Sequence, residues 1–394
     1  MFTRSFGLGC LLALFVLALV NAPHTRAAPQ AVFTVTTTND ADDGICDAAH
    51  CSLREAINAA NNSGAAGVIN FNIVDFPPFV IQPTWPLPVI TQNGIQIDGY
   101  TQLGAIQNTD PAASNANLMI ELSGSAAGAT SGLVLAGGNG SVRGLAIYNW
   151  AGAAVSLNSN ANTVAGNFIG LGTDGMTGLS NYWGIVTQDW TSGNVIGGDI
   201  SAERNVISFN AYGVYARGSG QLIVGNLIGT SANGTIAKPN DTGIYLETNN
   251  SVVRNNVVSG NNEYGILLGG GARKNTFIQN NIGADPTITS ALPNGFGGIA
   301  LGSGAKKNQE RGEHPPADSR QHQHCAECDR DAGFLRQLQL QRERFRRRAV
   351  LFGEHDRDDE RKRQNRVRLD FTQPVFPRSV YHRHRNREKE HVGI

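Results

Sequence analysis

Gly243-Ile-Tyr-Leu-Glu-Thr-Asn-Asn-Ser-Val-Val-Arg-Asn-Asn-Val-Val-Ser-Gly-Asn-Asn-Glu-Tyr-Gly-Ile-Leu-Leu268 holds the pattern that decides the fold. It opens and closes on one phrase, Gly-apolar-x-apolar. Between the two copies lies a second phrase, apolar-x-x-Asn-x-apolar, at Val253, Asn256 and Val258. The first phrase begins at Gly132, Gly152, Gly184, Gly213, Gly243, Gly265 and Gly298, at intervals of 20, 32, 29, 30, 22 and 33 residues. The second recurs at Val164/Asn167/Ile169, Ile223/Asn226/Ile228 and Phe277/Asn280/Ile282. Self-similarity at this period signals a stacked array, and short apolar alternation bounded by Gly and Asn marks strands. Each phrase is too short to hold a core alone. Stacking the copies at about 4.8 Å buries every apolar column against its neighbours. The expectation is an all-β solenoid, a parallel β-helix, with rungs over 132–305. Its column Leu133, Ala153, Ile185, Val214, Ile244, Ile266 and Ile299 should point inward, with Thr187 and Ala216 the weak members of the next column. The unequal intervals place insertions at one corner, most clearly Leu171–Asn181 and Thr230–Asp241. Asn at strand ends tolerates left-handed backbone and forms side-chain ladders between rungs. A leucine-rich repeat is the rival, but its Leu spacing is absent.

Beyond the rungs the composition changes. The chain has 394 residues and a formal net charge of zero, yet residues 1–305 carry 10 Lys+Arg and 17 acids while 306–394 carry 22 and 15. The two segments are therefore oppositely charged. The net negative first part speaks against a nucleic-acid partner. The basic segment 306–394 contains three motif-like features: His322, His324, Cys325 and Cys328 resemble a zinc site, Arg342–Arg348 a nucleic-acid patch, and 381–391 a His/Arg run. Each is weak alone. A different reading is that the gene is out of frame after about Lys307. Gln-His-Gln-His-Cys-Ala (321–326) can be encoded so that a one-base shift reads Asn-Ile-Asn-Ile-Ala, and 335–343 permits a similar alternation. Both restore the earlier composition. The rival is a genuine disordered tail. An out-of-frame tail would leave the last rung uncapped and prone to self-association.

At the other end, Arg4, the apolar run Gly7–Val20 and the small polar stretch Asn21–Ala28 follow the order of a secretory signal, 1–28. Thr25 and Ala27 suit a cleavage site. The run is shorter than a spanning helix requires, and no later stretch is long enough, so the expected location is secreted or cell-surface. Cys10 leaves with the signal. Cys46 and Cys51, in an oxidising compartment, are expected to pair. A metal site using His50 is the alternative, short of a fourth ligand; no cofactor or metal is expected. In the head, 29–76, the run Asp40, Asp42, Asp43 and Gly44 lacks EF-hand spacing and reads as a solvated turn. Ser52 and Glu55 form a capping box, followed by a short helix with Leu53, Ile57 and Ala60 on one face. The segment 77–131, beginning with the Pro-rich stretch Pro77–Pro88 and Trp85, links this head to the rungs and supplies the first strands.

Cys51-Ser-Leu-Arg-Glu-Ala-Ile57 and the following Asn58-Ala-Ala-Asn61 resemble the signature of the CSLREA-type secreted bacterial proteins. The resemblance continues at Gly94–Gln102 and Leu118–Gly124, then through the Asn- and Gly-rich repeats. It implies a right-handed parallel β-helix of the pectin-lyase-like type on an exported or surface protein. It implies no particular activity.

Folds of that type host lyases and glycosidases, which use acids as catalytic groups. Between 132 and 305 they are scattered: Asp174, Asp189, Asp199, Glu203, Asp241, Glu247, Glu263 and Asp285. No His lies between His50 and His314. Asn108-Thr-Asp110 stands alone before the repeats. The catalytic candidates are Asp189, Asp199, Glu203 and Arg204, with Glu247, and an enzyme requires that the acids converge in one groove. The ligand-binding candidates are the aromatics Trp150, Trp183, Trp190, Tyr212 and Tyr264, beside Tyr148 and Tyr182. Trp183, Tyr212 and Tyr264 each precede a rung Gly and should align on one ridge able to stack on sugar faces. The leading expectation is an exported structural or carbohydrate-contacting scaffold, with polysaccharide or cell-surface material as partner. The alternative is a polysaccharide lyase or glycoside hydrolase.

Overall fold

A computed structural model describes residues 30–311. The proposed signal segment and nearly all of the basic tail, with its His/Cys and Arg runs, lie outside the described residues. Among the described residues the chain winds into three parallel sheets of ten, eight and seven strands. From Leu133 onward each coil gives one strand to each sheet. A typical coil runs Leu222–Val224, Leu227–Ile228 and Thr242–Asn249 before Val252–Arg254 re-enters the first sheet. This is the expected β-helix.

Three apolar columns make the core. In the ten-stranded sheet Ile97, Val142, Val164, Ile196, Ile223 and Val253 pair in register and are fully buried. In the eight-stranded sheet Leu122, Ile147, Ile169, Ile207, Ile228 and Val258 do the same. The seven-stranded sheet carries Leu133, Val155, Ile185, Val214, Ile244, Ile266 and Ile299. One member of the expected column is corrected: Val155, not Ala153, pairs with Leu133 and Ile185, while Ala153 pairs with Trp183. The Gly152 phrase is out of step by two residues, and Ala154 stands where other coils have Gly. Thr187 joins the buried column because its hydroxyl accepts from Arg217 N at 2.7 Å and donates to Arg217 O at 2.8 Å.

The rung glycine marks a close approach. A Cβ on Gly213 would lie 2.5 Å from the carbonyl oxygen of Gly243, and one on Gly243 would lie 2.6 Å from that of Gly265. Asn ladders fill two corners. Asn167, Asn205, Asn226, Asn256 and Asn280 each pass an Nδ2–H to the next Oδ1 at 2.9–3.1 Å. Asn181, Asn210, Asn240, Asn261 and Asn294 repeat this at 2.8–3.0 Å. The Asn256 Oδ1 also accepts the Asn226 backbone N–H, and Asn226 Nδ2 donates to Ile196 O. The amides of these two ladders are thus satisfied by one another and by the backbone.

Coiling begins earlier than the Gly phrase suggested. Ala31–Val35, Gly67–Phe71 and Gln96–Asp98 already belong to the ten-stranded sheet. Phe79–Ile81 and Ile120–Ser123 begin the eight-stranded one. Gly67–Phe71 and Phe79–Ile81 alternate in burial, but none of these strands carries the repeated Gly phrase. The helix Leu53–Asn62 closes this end, burying Leu53, Ala56, Ile57 and Ala60. Its capping box is complete: Glu55 N donates to Ser52 Oγ at 3.2 Å and Ser52 N to Glu55 Oε2 at 2.7 Å. Arg54 grips Asp40 through two bonds and donates to Pro86 O and Trp85 O, while Asp40 accepts from Thr84. The Pro-rich stretch is thereby tied to the helix. Cys46 and Cys51 are disulfide-bonded.

Candidate functional site

The outer faces of the sheets differ. On the eight-stranded sheet the outward side chains Ala146, Phe168, Val206 and Leu227 are buried under Leu118, Leu171 and Phe209, forming a second apolar cluster. The insertions near 171–178, 230–237 and 284–291 make small antiparallel bridges on this side. Among the described residues the seven-stranded sheet carries no such apolar cluster on its outer face. Its outward residues include Val186, Tyr215, Tyr245 and Leu267, in register on successive coils.

Here the side chains interlock. Tyr215 and Tyr245 stack with centroids 5.0 Å apart, and Tyr212 lies 5.8 Å from Tyr245. Tyr182 packs edge-on to Trp183 at 4.5 Å and to Tyr212 at 6.2 Å. Both phenols of the stacked pair donate to one carboxylate: Tyr215 to Glu247 Oε2, and Tyr245 to Glu247 Oε1 at 2.8 Å. Arg217, the register partner of Glu247, pairs with Asp189 and lies over the Tyr215 ring at 5.6 Å. Burial, reinforced by the bond to Glu247, raises both phenols, Tyr245 to about 12 and Tyr215 further. They remain protonated at neutral pH and act as donors.

The ridge of aromatics is interrupted once. Trp183 pairs with Tyr212, Tyr212 with Thr242, and Tyr264 with Gly297. Tyr264 packs edge-on to Phe296 at 5.6 Å, extending the row. Beside the ridge an open groove of about 950 Å³ is lined by residues including Tyr182, Phe209, Asn210, Asp241 and Asn262. Trp190 is 69% exposed, its indole N–H donating to Asn158 O at 3.0 Å.

Other candidates fall elsewhere. Trp150 is 1% exposed, with its ring against Gly124 and Gly132. It is a core residue and cannot stack on a ligand. The acids do not converge: Asp189 pairs with Arg217 and Glu247 is held by the two phenols, whereas Asp199 pairs with Arg254, which holds its carboxyl below the usual range. Glu203 Oε2 accepts from Ile200 N at 3.4 Å within its own turn. Arg204 donates to the carbonyls of Asp110, Pro111, Ala113 and Gly225, fastening a loop to the solenoid. Asn108 is buried and donates to Ala113 O and Ser201 O in the same fastening. Tyr148 donates to buried Glu121 at 2.6 Å. Near the helix, Asp43, His50 and Glu55 bring ligand atoms within 4.8 Å of one another. The Glu55 oxygens there accept from Asp43 N and Ser52 N, so this carboxylate is engaged in holding the cap. The disulfide removes both cysteines as ligands.

Tyr215, Arg217 and Tyr245 are not among the residues expected from the sequence. The signal was present: the x of Gly-apolar-x-apolar points outward, and it is Tyr in two successive copies.

The family model for the right-handed beta helix region matches residues 112–309. This chain belongs to the right-handed β-helix family. No curated protein matches. Among solved structures, the chain is similar to the enzymatically active domain of tailspike protein 2 of bacteriophage CBA120, at 12% identity and TM-score 0.34, over 73% of this chain and 43% of that one. It thus spans under half of the tailspike domain. It is also similar to an alginate lyase from Paenibacillus sp. str. FPU-7, at 14% identity and TM-score 0.29, over 70% and 99%. The A-module of mannuronan C-5 epimerase AlgE6 of Azotobacter vinelandii gives 14% and 0.22, over 71% and 98%. No helix among the described residues is long and apolar enough to cross a membrane.

Proposed function

We propose that this β-helix is an exported or surface-attached scaffold that holds polysaccharide against the outer face of its seven-stranded sheet. One observation carries the reading: that face bears a continuous cluster of Tyr182, Trp183, Tyr212, Tyr215 and Tyr245 around the fixed polar groups of Arg217 and Glu247. Rigid rings give contact area at little entropic cost, and a few positioned polar groups orient a ligand. Export rests on the signal-like segment 1–28. The CSLREA-type head and the Cys46–Cys51 disulfide support it, since such bonds persist in oxidising compartments. The chain should be incubated with a panel of polysaccharides and scored for both retention and cleavage. Trp183→Ala and Tyr212→Ala should each weaken retention roughly tenfold. Full retention in the double variant sinks the reading.

The second reading, a polysaccharide lyase or glycoside hydrolase, draws on Asp189, Arg217 and Glu247 lying in one patch with two phenols. Against it, both phenols are protonated and bound to Glu247, and the Arg217 charge is matched by Asp189. A hydrolase needs two carboxyls facing a sugar bond. Product release that disappears in Glu247→Gln would favour this reading over the scaffold.

The segment after Lys307 is read as out of frame on its composition. Stops, or no Asn/Gly repeats, in the alternative frames of codons 306–394 would overturn this. Its companion is self-association through an uncapped last rung, which a clean monomer in light scattering would exclude.

A further inference from the structure

The charged groups around the aromatic face are unequal in sign, and their placement bears on the ligand. Glu247 projects from the face itself. Glu263 and Asp241 stand at its edge beside Tyr212: Glu263 Oε2 accepts from Thr242 Oγ1 at 3.3 Å, and Asp241 Oδ1 from Asn262 Nδ2 at 3.0 Å. Asp189 is joined to Arg217. Arg217 is the face's cation, and its charge is matched by that pair. Lys238 lies at 5.6 Å over the ring of Phe209, a lining residue of the groove, and acts on Asp174. Among the described residues, the three carboxylates Glu247, Asp241 and Glu263 therefore form no ion pair around the rings.

The Tyr212 phenol registers this field. Burial raises its pKa most, and neighbouring Tyr182, Glu263, Asp241 and Glu247 all push in the same direction. A sugar hydroxyl or ammonium group brought to these carboxylates gains charge-assisted hydrogen bonds. A carboxylate on every sugar would instead meet like charge, which costs several kcal/mol at an interface.

We infer that the glycan held on this face carries no carboxylates: it is a neutral or amino-bearing polysaccharide, and polyuronates are excluded. The inference rests on the glycan-binding reading above and names its ligand class.

Affinity electrophoresis of the full chain provides the test. The gels contain an uncharged glucan, a partly deacetylated chitin or a polyuronate, each at low and high salt. Retention by the glucan or the chitin is expected, with polyuronate retention at least about tenfold weaker at low salt. That gap should narrow at 1 M salt, where the screening length falls to about 3 Å. The double variant Asp241→Asn/Glu263→Gln should gain polyuronate retention, on the order of tenfold. Polyuronate retention equal to or above the others at low salt, abolished by Trp183→Ala/Tyr212→Ala, overturns the inference while leaving glycan binding intact. No gain in the charge-neutralised variant also overturns it. Failure of every polysaccharide to retard the chain removes the glycan reading itself.

Discussion

Asn226 shows how much one side chain does in this molecule. Its Nδ2 serves the Asn256 Oδ1 and two backbone carbonyls, those of Ile196 and Val224, and its Oδ1 accepts from Asn205. Replacing it with Ala leaves several buried groups unpaired, each worth about 1–3 kcal/mol. Asn226→Ala should therefore lower unfolding stability by about 2–4 kcal/mol in urea titrations, and a change under 1 kcal/mol would contradict the ladder's structural role. Gly213→Ala is a steric counterpart. Its Cβ would meet the Gly243 carbonyl oxygen at 2.5 Å, in backbone that cannot move alone. A loss of about 1–3 kcal/mol is expected. The phenols give a pH signature. With Tyr245 raised to about 12, the folded chain keeps its proton between pH 10 and 12 while the unfolded chain loses it. Stability from this group is fully present below pH 10 and falls as pH climbs toward 12. Tyrosinate absorbance of the folded protein should lag that of the denatured protein across this window.

At the level of elements, the cap helix and the sheets were legible to different degrees. The capping box could be read from Ser52 and Glu55 because its chemistry is local and spaced by the helix itself. The seven-stranded sheet could be read because its Gly-apolar-x-apolar phrase repeats. One coil was misaligned, since Ala154 replaces the rung glycine and Gly152 nearby mimics it. The first strands were harder: Phe79–Ile81 and Gln96–Asp98 are three residues each, and their long connections erase the period. The candidate site was half legible. Trp183 and Tyr212 were found by their position before the rung glycine, but which face lies open depends on where the insertions fold back. Burial of Trp150 was not readable, because Gly124 and Gly132, which make room for its ring, are distant in sequence or on another strand. For the cap, Ser52→Ala should cost about 1 kcal/mol. Hydrogen exchange should speed up in Leu53–Asn62 while the amides of Leu222–Val224 stay protected; equal acceleration in both would show that the cap and the coils do not open separately.

Across the described solenoid, stability comes from coil-on-coil contacts, so it should vary along the axis as a sum of neighbour terms. The Cys46–Cys51 bond closes a loop of only five residues' separation at one end. Its reduction should act on that end alone, with central coils exchanging as before. The two asparagine ladders carry a further consequence. In both, Oδ1 always accepts from the coil before it, so their carbonyl dipoles align along the axis and polarise one another. The solenoid is thus an electrically oriented rod, slightly negative toward the helix-capped end. Two such rods meeting tip to tip would favour following one another over facing one another.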